Sequence, residues 1–510
     1  MSSKIFSASV TGLDAALVEV EADIANGLPS FTIVGLPDKA VEEAKERVRS
    51  ALKNTHIGFP KTKITINLAP ADVKKEGVGF DLPIAIAIMA ANGDIDSERL
   101  CDTVIAGELG LDGRLRPIPG ILPIALAAKR CGKISVVVPF ENAQEAALIP
   151  GLRVFAPSTI GEFIAHLTGE HQLPEIPAVE FLSRPVEDET KEQIDFSMIQ
   201  GQERAKRALE IAAAGHHNIL FSGPPGSGKT ILAQALTTVL PSLSLQEALE
   251  VTQVYSIVGK VDSSKPMLSK RPFRSPHHTA SAVSLVGGGT FPKPGEITLA
   301  HRGVLFLDEF PEFPRHVLEV LRQPLEEGEI HVSRARDSIR FPARFLLVAA
   351  QNPCPCGYYL DPDKPCVCSP TQILKYQKKI SGPLLDRIDL HIDVPRLGYD
   401  KLTAVAAGET SADIRERVER TRKLQQKRFE GTPIHANGEM SFHAMKQHCE
   451  LDEEGNQIMK QAVDSLHLSA RSFHRILRVA RTIADLEKSE RIFQHHLAEA
   501  LQYRPKNHEA

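Results

Sequence analysis

The spacing of apolar and polar residues divides the chain into three regimes. Up to about residue 168, strand-like alternation is mixed with helical stripes. Ile64, Ile66 and Leu68 alternate with polar neighbours, the period of a half-buried strand. Ala40, Val41, Ala44, Val48, Ala51 and Leu52 recur at helical spacing behind Asp38, whose carboxylate is placed to cap that helix. Asp81 reads in the same way, as the cap of a second helix ending near Gly93, and Val136 to Val138 reads as a short buried strand. Gly169 to Asp195, rich in Pro and Glu, reads as a linker. From about 196 to 395, strand and helix patterns alternate, which predicts a parallel sheet. Beyond 396 the strand signal almost vanishes, and Ile414–Phe429 and Phe473–Leu486 read as helices of mixed charge. The expected organisation is an α/β domain over 1–168, a linker over 169–195, an α/β core over 196–395 and a helical domain over 396–510.

Composition changes this picture little. The 510 residues carry a formal charge of −4, so any nucleic-acid contact must be local. No secretory segment opens the chain, and the longest apolar run, Leu82–Asn92, is too short to cross a bilayer. A cytoplasmic location is expected, with no membrane partner. The 7 cysteines are odd in number and, in a reducing compartment, argue against a disulfide framework.

The chemistry begins at Gly223-Pro224-Pro225-Gly226-Ser227-Gly228-Lys229-Thr230, a full match to the phosphate-cradling pattern G-x-x-x-x-G-K-[ST]. The apolar strand Asn218–Phe221 precedes it and the helical run Ile231–Leu240 follows. Strand, glycine loop and helix in that order aim backbone N–H groups at an anion, with Lys229 adding charge and Thr230 an oxygen for Mg²⁺. Val304-Leu305-Phe306-Leu307-Asp308-Glu309 is a buried strand ending in two acids. Asp308 is placed to hold Mg²⁺, and Glu309 to polarise an attacking water. A further apolar strand, Phe345–Ala350, runs into Gln351-Asn352, whose amide could align that water. Arg387, in Leu385-Asp386-Arg387-Ile388-Asp389, could reach a neighbouring subunit's nucleotide or pair with its flanking acids. Arg471 could close over the phosphates from the helical domain, with Arg475 and Arg478 competing for that role.

These motifs resemble the AAA+ ATPases, and within them the magnesium-chelatase-like branch, over about 196–510. The resemblance makes Gly223–Thr230 the Walker A loop, Leu305–Glu309 Walker B, Asn352 sensor 1, Arg387 the arginine finger and Arg471 sensor 2. Arg271–His278 and Pro294–Gly303 look like this branch specifically. Relatives of this kind work as rings, usually hexamers, with ATP at each subunit interface.

Two segments could touch a polymer. The stretch 251–300, with Lys260, Lys265, Lys270, Arg271, Arg274 and Lys293 against Asp262 and Glu296, reads as a protruding basic loop or hairpin. Ile330–Phe341 reads as a β-hairpin with Arg334 and Arg336 at its tip, similar to the pre-sensor hairpins with which ring helicases grip phosphates. Arg334, Arg336, Arg274 and Lys293 are therefore the candidate DNA contacts. Cys354, Cys356, Cys366 and Cys368 form a C-x-C…C-x-C set able to close a tetrahedral Zn²⁺ site, with free thiols or a redox switch as alternatives.

Lys75–Asp81, Val104–Leu109 and Leu115–Ile121 resemble the proteolytic domain of Lon proteases, of the ribosomal-S5-like fold. Gly79 and Leu122 stand where that family carries its serine and lysine, so proteolysis has no nucleophile. Together the three blocks resemble the YifB/ComM family over essentially the whole chain. The resemblance implies a homo-hexameric, ATP-driven helicase promoting branch migration on single-stranded or branched DNA during natural transformation. A recombinase is a further candidate partner. The rival readings are a metal-insertion or protein-remodelling ATPase of the magnesium-chelatase type.

Overall fold

The computed structural model describes residues 2–55, 57–179, 194–289, 292–333, 338–398 and 408–505. Strands Ser2–Thr11 and Asp14–Ala25 pair antiparallel across a turn at Gly12. Lys63–Ala69 and Ser30–Val34 extend one edge of that pair; Thr103–Ile105, Ser135–Val137, Arg153–Phe155 and Glu175–Ile176 extend the other, giving an eight-stranded mixed sheet. Ile64, Ile66 and Leu68 point into the core, as their alternation predicts. Helix Lys39–Asn54 is capped by Asp38, which accepts from the Val41 N–H at 2.8 Å.

Asp81 does not cap the second helix. It is the first residue of Asp81–Asn92, behind Phe80, and its carboxylate turns inward. There it accepts from Arg47 Nε at 2.6 Å, Arg47 Nη2 at 2.9 Å and the Leu109 N–H at 3.2 Å. Burial pushes this carboxyl above its ordinary range, and Arg47 pulls it back. Removing one partner of a buried pair strands the other charge, so Arg47→Ala is expected to cost about 3 kcal/mol in urea unfolding at neutral pH. Without Arg47 the folded Asp81 binds a proton more readily than the unfolded chain does. The deficit should therefore narrow as the pH falls.

In the core, five strands pair entirely in parallel, in the order Phe273–Arg274, Val304–Leu307, Leu346–Gln351, Ile219–Ser222, Leu390–Asp393. All run the same way, so their C-terminal ends share one edge. The strand leading to Asn352 lies between the phosphate-loop strand and the strand ending before Asp308. Gly223, Asn352 and Asp308 thus emerge side by side.

The stretch 251–300 is not simply a protruding loop. It opens inside helix Leu245–Ile257, which docks on the first domain: the Gly120 N–H donates to Ser256 O at 3.0 Å. Arg271 is partly buried and donates to Pro241 O and Arg302 O at 2.6 and 2.7 Å, pairing also with Glu247. What remains of the expected hairpin is a short ribbon, Gly287–Gly288 against Lys293–Pro294. The second hairpin forms as expected, with Glu329–Ser333 antiparallel to Ser338–Pro342. Arg334 and Arg336 lie outside the described residues. Five helices, Ser411–Arg428, Phe442–His448, Glu453–Leu466, Ala470–Leu486 and Gln494–Leu501, make up the described part of the third block together with one short 3₁₀ turn. Among the described residues no helix is long and apolar enough to cross a membrane.

Candidate nucleotide site

Helix Lys229–Val239 starts directly after Gly228, which holds the left-handed conformation at φ +91. A side chain there would be strained, which accounts for glycine at this position. Lys229 Nζ donates to Gly223 O at 2.8 Å and Pro224 O at 2.9 Å, with Asn352 Oδ1 at 3.4 Å. Burial draws its pKa down, and Asp308 opposes the shift. Ser227 Oγ is buried with no partner. A helix N-terminus, a buried ammonium and an unsatisfied hydroxyl facing one loop suit a phosphate chain.

Thr230 Oγ1 donates to Asp308 Oδ2 at 3.1 Å, and the Glu309 N–H donates to Asp308 Oδ1 at 2.8 Å. This pairs a hydroxyl and a carboxylate across the end of the loop, a hard-oxygen set that fits Mg²⁺. Glu309 itself has φ +51, and its half-exposed carboxylate lies 2.9 Å from His278 Nδ1. His278 belongs to the Arg271–His278 run, but sequence reasoning gave it no role. Tyr376 was missed too: burial and the nearby Glu312 and Glu309 carboxylates raise its pKa, and it hydrogen-bonds the Asn352 backbone.

The two candidate arginines are elsewhere. Residues Ile219 to Ser222 pair with Leu390 to Asp393, so Asp386–Asp389 precede the strand start while Gly223 follows the strand end. Arg387 therefore lies at the edge of the sheet opposite the phosphate loop. It pairs with Glu326 and donates to Pro383 O, not with its sequence neighbours Asp386 or Asp389. Arg471 lies 3.8 Å from Asp386 and shares a cavity of about 980 Å³ with Arg387. It does not close over this chain's own phosphate loop, contrary to the expectation from sequence. Its competitors are engaged: Arg475 donates to Ile388 O at 2.8 Å and Arg478 to Gly438 O at 2.6 Å.

Among the candidate polymer contacts, Arg274 is not free. Its Nε and Nη2 donate to Glu296 at 2.6 and 2.8 Å, because the short helix Glu296–Leu299 presents that carboxylate beside the strand. Lys293 is exposed on the glycine ribbon.

The cysteines do meet. Sγ of Cys354 lies 3.3 Å from that of Cys356 and 3.7 Å from that of Cys366, and Cys356 lies 3.6 Å from Cys366. All four Sγ atoms, Cys368 included, fall within 4.8 Å of one another. A tetrahedral zinc with Zn–S of about 2.3 Å has sulfur–sulfur edges of about 3.8 Å, so the set fits Zn²⁺. Burial raises the Cys356 thiol, but N–H groups of Tyr358 and Val367 outweigh it and bring the group to about 6. Cys366 and Cys368 go the other way: although each accepts a backbone N–H, burial and the Cys356 and Cys354 sulfurs raise both thiols.

Three family descriptions match in succession. "Subunit ChlI of Mg-chelatase" covers residues 20–142, "Magnesium chelatase, subunit ChlI" 195–402, and "Magnesium chelatase, subunit ChlI C-terminal" 408–504. The competence protein ComM of Haemophilus influenzae is 47% identical over 98% of this chain and 97% of its own length. The uncharacterized protein YifB of Escherichia coli is 44% identical over 97% of this chain and 95% of its own. A magnesium-chelatase 38 kDa subunit of Cereibacter sphaeroides is 29% identical, but over only 32% of this chain and 54% of its own. With this similarity running nearly end to end, the chain belongs to the YifB/ComM family of magnesium-chelatase-like AAA+ proteins.

Proposed function

We propose that the chain is an ATP-hydrolysing ring motor, a homo-hexamer in which each active site is shared between neighbours, acting on single-stranded or branched DNA. The observation that carries this reading is the split of the site. The phosphate loop, Asp308, Glu309 and Asn352 lie at one edge of the core sheet, and Arg387 with Arg471 at the other. Within one copy, these two guanidinium groups lie away from the phosphate loop.

In this reading the loop amides and Lys229 hold the β- and γ-phosphates. Thr230 and Asp308 would hold Mg²⁺, which would supply positive charge against the phosphate oxygens. Glu309 takes a proton from water as the water oxygen bonds to the γ-phosphorus, and Asn352 orients that water. The bond from γ-phosphorus to the bridging oxygen breaks, leaving ADP and phosphate. Arg387 and Arg471 of the adjoining copy compensate the charge on the transferred group. The first domain serves as a Lon-like scaffold without proteolytic chemistry, since Gly79 and Leu122 supply neither nucleophile nor base. Zinc held by the four cysteines is structural.

The DNA assignment, and branch migration during natural transformation, rest on family likeness and on the name of the Haemophilus relative. The hairpin 329–342 is the candidate grip. The test is ATPase rate with and without single-stranded DNA, and unwinding of branched duplexes. We expect stimulation by DNA, and its loss in Arg334→Ala/Arg336→Ala with nucleotide affinity retained. Absence of both stimulation and unwinding in the wild type would leave metal insertion or protein remodelling as the better reading. Stimulation that survives in the double variant would remove the hairpin from the DNA path.

A further inference from the structure

The four-cysteine loop is in contact with the phosphate loop. Gly357, in the turn after the first cysteine pair, has φ +85, and a Cβ built there would lie 2.5 Å from Pro225 Cδ and 2.8 Å from Pro225 Cγ. Carbon atoms rest at about 3.5–4.0 Å, so there is no room for a methyl group between the two loops. The same point is 3.9 Å from Asn352 Cγ. A second strut is Arg396, whose guanidinium lies over the Tyr358 ring at 5.2 Å and whose Nη2 donates to Pro225 O at 3.5 Å. The helix that follows the cysteine loop is tied back to the start of that loop: Gln377 Nε2 donates to Pro353 O at 3.4 Å. One residue, Pro353, separates Asn352 from Cys354.

Residues 352–369 contain no helix or strand. Such a segment has little of its own to set its shape, and binding of a metal by its thiolates is then what orders it. We infer that a soft divalent metal of the zinc class, held by Cys354, Cys356, Cys366 and Cys368, positions the nucleotide site by seating Gly357 against Pro225 and Asn352 beside Lys229. This inference rests on reading Gly223–Thr230 as an ATP site. Metal occupancy thereby controls the phosphate cradle through the contact of Gly357 with Pro225. The cysteines and Gly357 are positioning residues.

The experiment compares full-length protein as purified under reducing conditions, the same protein treated with chelator, and the variants Gly357→Ala, Cys366→Ser/Cys368→Ser, Val367→Ala and Lys229→Ala. Three quantities are read: zinc per chain, affinity for a fluorescent ATP analogue, and amide hydrogen exchange across 223–230. Gly357→Ala is expected to keep its zinc but bind the analogue at least about tenfold more weakly, since a misplacement near 1 Å can cost a site up to about a hundredfold. The double serine variant and the chelated protein should lose zinc, weaken equally and exchange faster across 223–230. Val367, 84% exposed between two of the ligands, should tolerate alanine in all three measurements.

Zinc near zero in the purified protein overturns the inference. So does a stripped protein, folded by circular dichroism, that binds the analogue and exchanges as the loaded one does. If loaded wild type binds the analogue no better than Lys229→Ala, the ATP reading fails instead. Hydrogen exchange then still decides the brace: faster exchange on stripping supports it, and unchanged exchange rejects it.

Discussion

Protein carrying Arg387→Ala should hydrolyse ATP about a thousandfold more slowly than wild type, the scale of a lost arginine finger. It should regain a substantial rate when mixed with Glu309→Gln protein, which is itself inactive. Strand Leu390–Asp393 runs parallel to Ile219–Ser222, with Ser222 opposite Asp393. At about 3.3 Å per residue the strand separates Asp389 from the phosphate-loop edge by more than about 10 Å, and Arg387 lies before its start. On the proposed reading, the guanidinium therefore serves a nucleotide held by another copy. In a mixed ring, an interface with the phosphate loop and Glu309 of the arginine-less variant and the Arg387 of the other is complete, so two defective proteins make one working site. A mixture no faster than the sum of its parts would leave Arg387 as the structural partner of Glu326. Glu326→Gln separates the cases further. It frees the arginine, and should preserve the rate if the finger reading holds.

The phosphate loop and the acids after Val304–Leu307 were legible in the sequence because local geometry dictates their residue types. A left-handed turn entering a helix requires glycine at 228, and a buried strand delivering a cation site to a sheet edge ends in carboxylate. Asp38 was legible as a cap for the same reason, since its partner is three residues away. Asp81 looked identical in sequence, but its partner Arg47 is 34 residues distant and on another helix. Arg274 counted as a free charge until Glu296 appeared beside it, and His278 could not be assigned before the fold brought it to Glu309. Gly357 is the sharpest case. Its positive φ could be guessed from a turn, but the reason for keeping it bare is Pro225, more than a hundred residues earlier. Arg471 shows the converse. Its helix was predicted correctly, and only the topology decided which edge of the sheet that helix serves. Periodicity fixes faces and ends of elements, whereas contacts between distant side chains depend on how those elements are packed.

Glu309→Gln protein should bind ATP about as tightly as wild type and hydrolyse it about a hundred- to ten-thousandfold more slowly, the range associated with loss of a general base. Lys229→Ala should fail at the earlier step and bind poorly. The contrast follows from where the two side chains lie. Lys229 is buried in the loop, and its ammonium donates to Gly223 O and Pro224 O at the point where phosphates would enter. Glu309 is half-exposed beyond Asp308 and touches His278, so its amide isostere leaves the loop, Thr230 and Asp308 undisturbed. Ligand-induced stabilisation distinguishes the steps without requiring turnover. ATP at about a hundred times its dissociation constant adds about 2.7 kcal/mol to a protein that binds it only when folded. Wild type and Glu309→Gln should therefore show the same rise in melting temperature with ATP and Mg²⁺, and Lys229→Ala little or none. Single-turnover phosphate release should then be fast in the first and nearly absent in the second. If Glu309→Gln instead retained the wild-type rate, water activation would pass to another group near the γ-phosphate, with His278 the first to examine. If it lost the thermal shift as well, Glu309 would belong to nucleotide binding, and the division of labour between Asp308 and Glu309 would have to be redrawn.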